Sequence, residues 1–304
     1  MSDDQLVLSE FKKALRRYAE VTVVDLDDKI NHKFDFQIYL WEDVMRVAGT
    51  AIPPNKWSYY RIGLFKEGSG EFITGIYKFK ALKNTLVVVP ARMITSSKNW
   101  TPDTKGYLVL FNMEFFLQNK FPHKYIESKK ILSSCLQPYI HLTDEQAEAI
   151  SVIFETILEE KQGKNSFKNE LIALKIVELL ILSDRLFDEE LHFEKNLPSI
   201  EIIKKFNDLL ENNFLQEHTV KFYAEKLTVH PNYLNSLIKK QTGLTAKEAI
   251  QNRLLLEVKY LLHSTNLSIK EISNQVGFKD PNYFISFFTR FENMPPGNYR
   301  SSFV

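Results

Sequence analysis

The chain has 304 residues, room for two domains at about 150 residues each. Hydrophobic residues make up 44% and charged residues 25%, which excludes a wholly disordered chain and predicts packed cores. With 39 Lys and Arg against 38 Asp and Glu, the net charge of +1 excludes a uniformly basic coat protein, and the single cysteine, Cys135, excludes an internal disulfide or a paired-cysteine metal clip. The N-terminus carries two early acids and no basic-then-apolar signal pattern, and the most apolar stretch, Leu171 to Leu182, is broken by Lys175 and Glu178. It is too short to cross a bilayer, so a soluble cytoplasmic protein is expected.

From about Phe34 to Phe116 the chain reads as short strands: FQIYLW, YYRIGLF, EFITGIYKF, TLVVV and GYLVLF. Alternation is clearest over Glu71–Ile76 and the β-branched run Leu86–Val89, with turn signals at Gly68-Ser-Gly70 and Lys83-Asn84. This spacing predicts a β-sandwich or barrel within about residues 20–120. A helical part follows over about 124–193. Thr143 with Gln146 three residues on is a capping box, opening a helix to about Glu160 that the Gln162–Ser166 stretch breaks. A second helix carries Phe167, Leu171, Leu174, Val177 and Ile181. Its apolar surface suits either a dimer seam, with Leu174, Val177 and Ile181 as candidates, or burial within its own domain. Glu194–Ser199, with Pro198, reads as a linker, giving domains 1–198 and 199–304.

After Ser199 everything reads helical, and the charge shifts to 13 Lys and Arg against 10 Asp and Glu. Pro231-Asn232-Tyr233 recurs as Pro281-Asn282-Tyr283, and in register His230–Gly243 matches Asp280–Asn293. Each copy has one apolar face and ends in a residue tolerant of left-handed backbone. A shorter helix precedes each copy, Val220–Leu227 with small Ala224 and Ile269–Val276 with small Ser273; Thr228 and Gly277 lie at the two turns. These are two helix-turn-helix units in tandem, the second turn one residue longer. Tyr233, Leu234, Leu237, Ile238, Phe284, Phe287 and Phe288 are core candidates, and Phe278 is expected to plug the core beneath Gly277. Between the units, Ala246 to His263 reads as one helix of roughly 27 Å. Such a strut suits two recognition helices set about one DNA turn, roughly 34 Å, apart.

The run Ser268–Phe284, continuing to Phe288-Thr-Arg-Phe-Glu-Asn-Met-Pro-Pro-Gly-Asn-Tyr-Arg300, resembles the signature of the AraC/XylS-type transcription regulators, as does Arg253–Leu262 in the connecting helix. The first half more loosely resembles the cupin-like sensor and dimerisation domain often joined to it. The resemblance implies an α+β two-domain regulator: a cupin-like barrel followed by helices, then an all-α domain with two helix-turn-helix units joined by a long helix. It implies double-stranded DNA as partner, a homodimer, and activation through RNA polymerase contacts. Carried over by position, the base-facing candidates are Asn232, Asn235 and Ser236 in the first unit, with Lys239 and Lys240 near the DNA backbone. In the second they are Pro281, Asn282, Ile285 and Ser286, with Arg290 at the phosphates. Asparagine suits a base reader, because its amide pairs bidentately with adenine, though it is also a common turn residue. Many relatives carry a basic residue where Ser236 and Ser286 stand and a lysine where Thr289 stands, so the second unit, with less charge and fewer long donors, is expected to read DNA weakly or mainly through shape and phosphate contacts.

A metal-binding cupin needs a His-x-His pair with further His and carboxylate ligands. The matching positions here hold Asn55 and Trp57, and the seven histidines are scattered. No nucleophile elbow or phosphate loop occurs, so no catalytic residue, metal or cofactor is expected, and a cupin-type enzyme or ligand-binding protein with an accessory DNA-binding module is the lesser alternative. The aromatics Phe36, Trp41, Tyr60, Phe72, Tyr77 and Trp100 either line a small-molecule effector pocket or fill the barrel core.

Overall fold

The computed structural model describes residues 35–132, 137–193 and 197–302; Cys135 and His32 lie outside the described residues. Five antiparallel strands form one sheet in the order β1 (Phe36–Leu40), β8 (Lys105–Phe111), β3 (Tyr60–Glu67), β6 (Thr85–Val89) and β9 (Tyr139–His141). Four more form a second sheet in the order β2 (Ile52–Lys56), β7 (Ile94–Lys98), β4 (Gly70–Thr74) and β5 (Tyr77–Ala81).

The five-stranded sheet is buried on both faces. One face, with Phe65, Val87, Val89, Leu108 and Leu110, belongs to a core shared with Phe72, Phe79 and Ile94 of the second sheet. The other, with Ile62, Leu64, Leu86, Val88, Val109 and Phe111, packs under helices. This is why β6 and β8 are continuous apolar runs rather than alternating ones, as in any sheet covered on both sides. By contrast β5, Tyr77-Lys-Phe-Lys-Ala81, alternates buried and exposed because its second face meets water. Two readings of the turns need correction. The chain leaves β3 of one sheet at Gly68 (φ 81°) and enters β4 of the other, so Gly68-Ser-Gly70 is a crossing between sheets and not a hairpin. The hairpin falls inside the expected strand Glu71–Ile76, at Gly75 (φ 54°), where β4 pairs with β5. Trp41 opens a helix, α1 (Trp41–Ala48), instead of ending a strand.

Two short helices, α2 (Met113–Gln118) and α3 (His123–Glu127), lead to the long pair α4 (Asp144–Gln162) and α5 (Lys168–Phe193). The capping box forms: Thr143 Oγ1 accepts from the Gln146 N–H (3.2 Å) and Gln146 Oε1 accepts from the Thr143 N–H (3.0 Å). On α5 the expected seam divides. Val177 is buried in the chain's own core and Ile181 packs half-buried against it, so neither is a free seam residue. Phe167 just before the helix, Leu171 and Leu174 face outward, at 77%, 38% and 52% exposure, one helical face at i, i+4 and i+7.

Seven helices follow: α6 (Leu197–Asn213), α7 (Val220–Lys226), α8 (Pro231–Thr242), α9 (Ala246–Ser264), α10 (Ile269–Gln275), α11 (Pro281–Glu292) and α12 (Pro296–Ser301). Pro198 sits in the first turn of α6, where its missing N–H has no intrahelical partner to lose, so it starts a helix instead of breaking one. The strut α9 is buried nearly all round, Arg253 and Glu257 included. One side carries the helix-turn-helix units; another rests on β2 and β7, with the Lys56 ammonium 6.0 Å from the Tyr260 ring centre. The inner barrel core and the C-terminal core are therefore continuous. Arg253 Nε donates to both Glu211 carboxylate oxygens (2.8 and 3.0 Å), and Nη1 donates to Glu257 Oε2 (3.0 Å). This pins α6 to the strut through an ion-pair triad centred on the buried Arg253.

Candidate nucleic-acid interface and sensor cavity

The two helix-turn-helix units are built to one plan. In the first turn, Thr228 takes a left-handed φ of 56° and the Val229 N–H bonds the Ala224 carbonyl (3.0 Å). In the second, Gly277 takes φ 82° and the Phe278 N–H bonds the Ser273 carbonyl (2.9 Å). Lys279 is the extra residue of the second turn. Each recognition helix starts with proline after a side-chain cap: His230 Nδ1 accepts from the Asn232 N–H (3.2 Å), and Asp280 Oδ1 accepts from the Asn282 N–H (2.9 Å). Each ends in a left-handed residue, Gly243 or Asn293.

Burial repeats position by position. Leu234, Leu237 and Ile238 are buried in α8, as Phe284, Phe287 and Phe288 are in α11. Asn232 and Ser236 are exposed, as are Asn282 and Ser286, one turn apart on each helix. Pro231 and Pro281 are half-buried at the helix starts. Asn235 and its counterpart Ile285 are half-buried: Asn235 Oδ1 is buried with no hydrogen-bond partner, and Ile285 packs on the core. Both thus stand further from the exposed face than their neighbours. Tyr233, expected in the core, is 45% exposed, and its counterpart Tyr283 is 66% exposed, so each helix presents a tyrosine beside its asparagine. The repeated PNY triplet was the available signal.

Lys239 and Lys240 are exposed on the last turn of α8. The nearby Glu248 carboxyl is held below its ordinary range by the Thr245 backbone N–H, then by the Thr245 hydroxyl, with Lys239 adding a smaller share. In α11 the exposed Arg290 lies over the Phe291 ring at 5.0 Å. The end of α11 is tied to the strut by Lys259 Nζ and Glu292 Oε2, 2.9 Å apart. His218 lies 5.3 Å from the Phe278 ring, and burial pushes its pKa below the ordinary value.

The six barrel aromatics do not converge. Trp41 and Phe72 line one interior cavity, whereas Tyr77 lines a second between barrel and α6. Trp100 stacks on Trp41 and Phe65 as core, its indole N–H donating to Ser97 Oγ (2.8 Å). Phe36 and Tyr60 belong to the opposite, helix-covered side, against Phe115 and Phe111. Asn55 and Trp57, which stand at the metal-ligand positions of the resemblance, line the first cavity beside Arg61. Arg61 stands as a charge inside the apolar run YYRIGLF, a signal readable in the sequence. Among the described residues no cluster of His, Cys, Asp or Glu suits a metal, and no helix is long and apolar enough to cross a membrane.

Two matched helix-turn-helix units on one strut define a domain of the tandem helix-turn-helix class. Comparison with known proteins agrees: residues 223–302 match the family described as a helix-turn-helix domain. The HTH-type transcriptional regulator YtdP of Bacillus subtilis (strain 168) is 32% identical over 92 residues, which are 30% of this chain and 12% of YtdP. YfiF from the same organism, also named an HTH-type transcriptional regulator, is 25% identical over 275 residues, 88% of this chain and 83% of YfiF. The C-terminal domain of the response regulator yesN from Fusobacterium nucleatum is 31% identical, covering 31% of this chain and 93% of that one, with a TM-score of 0.30. Over residues 223–302 the chain thus carries a helix-turn-helix domain, and it is similar to proteins named HTH-type transcriptional regulators.

Proposed function

We propose that the chain is a dimeric, sequence-specific DNA-binding regulator with domains 1–198 and 199–304, whose barrel senses a small molecule or partner. It acts in the cytoplasm by binding and not by catalysis. The observation that carries the reading is the duplicated exposed pair, Asn232 with Ser236 and Asn282 with Ser286, on two helices held by the 19-residue strut α9. At 1.5 Å per residue the strut is roughly 28 Å long, close to the spacing of successive major grooves on one DNA face. Exposed Asn232 and Asn282 supply the amides for base reading; Lys239, Lys240 and Arg290 supply phosphate contacts. Contact with RNA polymerase belongs to this reading as the route to transcription.

The dimer reading is supported by Phe167, Leu171 and Leu174, exposed along one face, with Val152 of α4 also 53% exposed. Replacing Leu174 with Asp should give folded monomers in sedimentation, whereas Val177→Asp, in the chain's own core, should unfold the barrel. The function is tested by selecting DNA from a random pool with the full-length protein. Two copies of an enriched site related by twofold symmetry are expected; failure to enrich any sequence defeats the reading.

A further inference from the structure

A tyrosine stands third in each recognition helix, and both copies place it outside the core. Tyr233 is 45% exposed and Tyr283 66%, whereas Tyr223, in the helix before the first turn, is fully buried and donates from its hydroxyl to the Glu217 carbonyl (2.8 Å). Among the described residues no hydrogen bond reaches the hydroxyl of Tyr233 or Tyr283. The inner faces are already closed by Leu234, Leu237 and Ile238 in α8 and by Phe284, Phe287 and Phe288 in α11. The Tyr283 ring is steadied at its foot by the Phe278 ring, 5.7 Å away, while its far end meets solvent.

Helix geometry says where these rings point. With about 100° between successive residues, Tyr233 stands roughly 80° round from the middle of the exposed Asn232–Ser236 face. Lys240, seven residues on, lies within about 20° of Tyr233 and roughly 10 Å further along the axis. Tyr283 and the exposed Arg290 repeat this flank beside Asn282 and Ser286. A helix with its side chains is about 10–12 Å across, and the major groove is about 12 Å wide. A helix that turns its asparagine to the groove floor therefore turns this flank to the groove wall, where the phosphates stand. A phenol suits that place, being a neutral donor on a side chain of few torsions.

We propose that Tyr233 and Tyr283 are a matched pair of phosphate anchors. Each hydroxyl donates to a DNA backbone phosphate oxygen on one wall of the groove, and Lys240 or Arg290 follows two turns along the same wall. The proposal rests on the DNA-binding reading above and divides labour within it. The asparagines read bases, the cations supply charge, and the tyrosines fix how each helix sits between the two strands.

The full-length chain is titrated with a fluorescein-labelled random-sequence duplex over a range of salt, and with the duplex it selects. Tyr233→Phe removes only the hydroxyl, so the midpoint of chemical denaturation should not move; a lowered midpoint shows that the hydroxyl serves the fold and overturns the proposal. Affinity should fall roughly fivefold to tenfold on both duplexes alike. The salt-dependence slope should stay unchanged, because a neutral donor displaces no counterion, whereas Lys240→Ala should lower it. Tyr283→Phe should show the same pattern with a smaller loss, since Asp280 stands three residues before it. Unchanged affinity in both tyrosine variants overturns the proposal, and so does a loss confined to the selected duplex, because the tyrosine then reads a base. Neutral methylphosphonates placed singly along the selected duplex locate the contact. At one phosphate the replacement should weaken the wild type and cost Tyr233→Phe measurably less; if no position shows that difference, the proposal falls. A wild-type chain that binds no duplex even at low salt defeats the DNA-binding reading too, whereas DNA binding that survives both substitutions defeats the anchors alone.

Discussion

The two helix-turn-helix units share a backbone plan and a burial pattern, yet they differ in the chemistry of both core and surface. The first is packed with aliphatic side chains, capped by the imidazole of His230, and ends in Lys239 and Lys240. The second is packed with phenylalanines around Phe278, capped by the carboxylate of Asp280, and carries Arg290 alone in its last turn. A carboxylate at a helix N-terminus stabilises the helix, but in the interface proposed above it would also repel phosphate. Asn235 in the first unit is a half-buried amide where the second has the hydrocarbon of Ile285. The second unit is thus built for packing and the first for polar contact.

That contrast is open to direct challenge, most strongly at the turns. A Cβ on Gly277 would lie 2.0 Å from the Leu215 carbonyl oxygen, at a φ that disfavours any side chain. Gly277→Ala should cost about 3 kcal/mol or more in chemical denaturation. Thr228 already carries a Cβ at its left-handed position, so Thr228→Ala should change stability by less than about 1 kcal/mol. Equal losses would mean that the turns are not built differently.

Base reading is the next test. Asn232→Ala should cost about 1–3 kcal/mol on the selected site and much less on random DNA. Asn282→Ala should cost less, with Asp280 beside it and Ile285 below it. Competition binding in which Asn282→Ala is the costlier change would reverse the assignment. Removing Lys239 or Lys240 should weaken binding to all sequences alike and lower the salt-dependence slope by about one unit per lost phosphate contact. An unchanged slope would remove the lysine from the interface.

The smallest effect concerns acid. Burial lowers the His218 pKa, so the folded chain favours the neutral ring while the unfolded chain takes up a proton below its ordinary value of 6.5. Stability is full above that pH and falls as pH drops below it, by under about 1 kcal/mol because the ring is only half-buried. Melting temperature at about pH 7.5 and about pH 5.5 should differ less in His218→Asn than in the wild type.

Spacing alone determined much of this protein. The PNY repeat, the capping box at Thr143, the glycine at 277 and the apolar face of each recognition helix are local patterns, and local backbone sterics and one buried face suffice to enforce them. Tertiary structure decided the rest. Whether Trp41 began a helix, whether Gly68 made a hairpin or a sheet crossing, and which of Leu174, Val177 and Ile181 faced outward depended on partners distant in sequence. The same holds for the aromatic set, which an apolar label alone cannot assign to one or other face of a sheet buried on both sides. Arg61 and Trp41 meet at one cavity because β3 pairs with β6 and β8 while β2 and β7 close over it, and long-range pairing of that kind leaves no periodic trace in the chain.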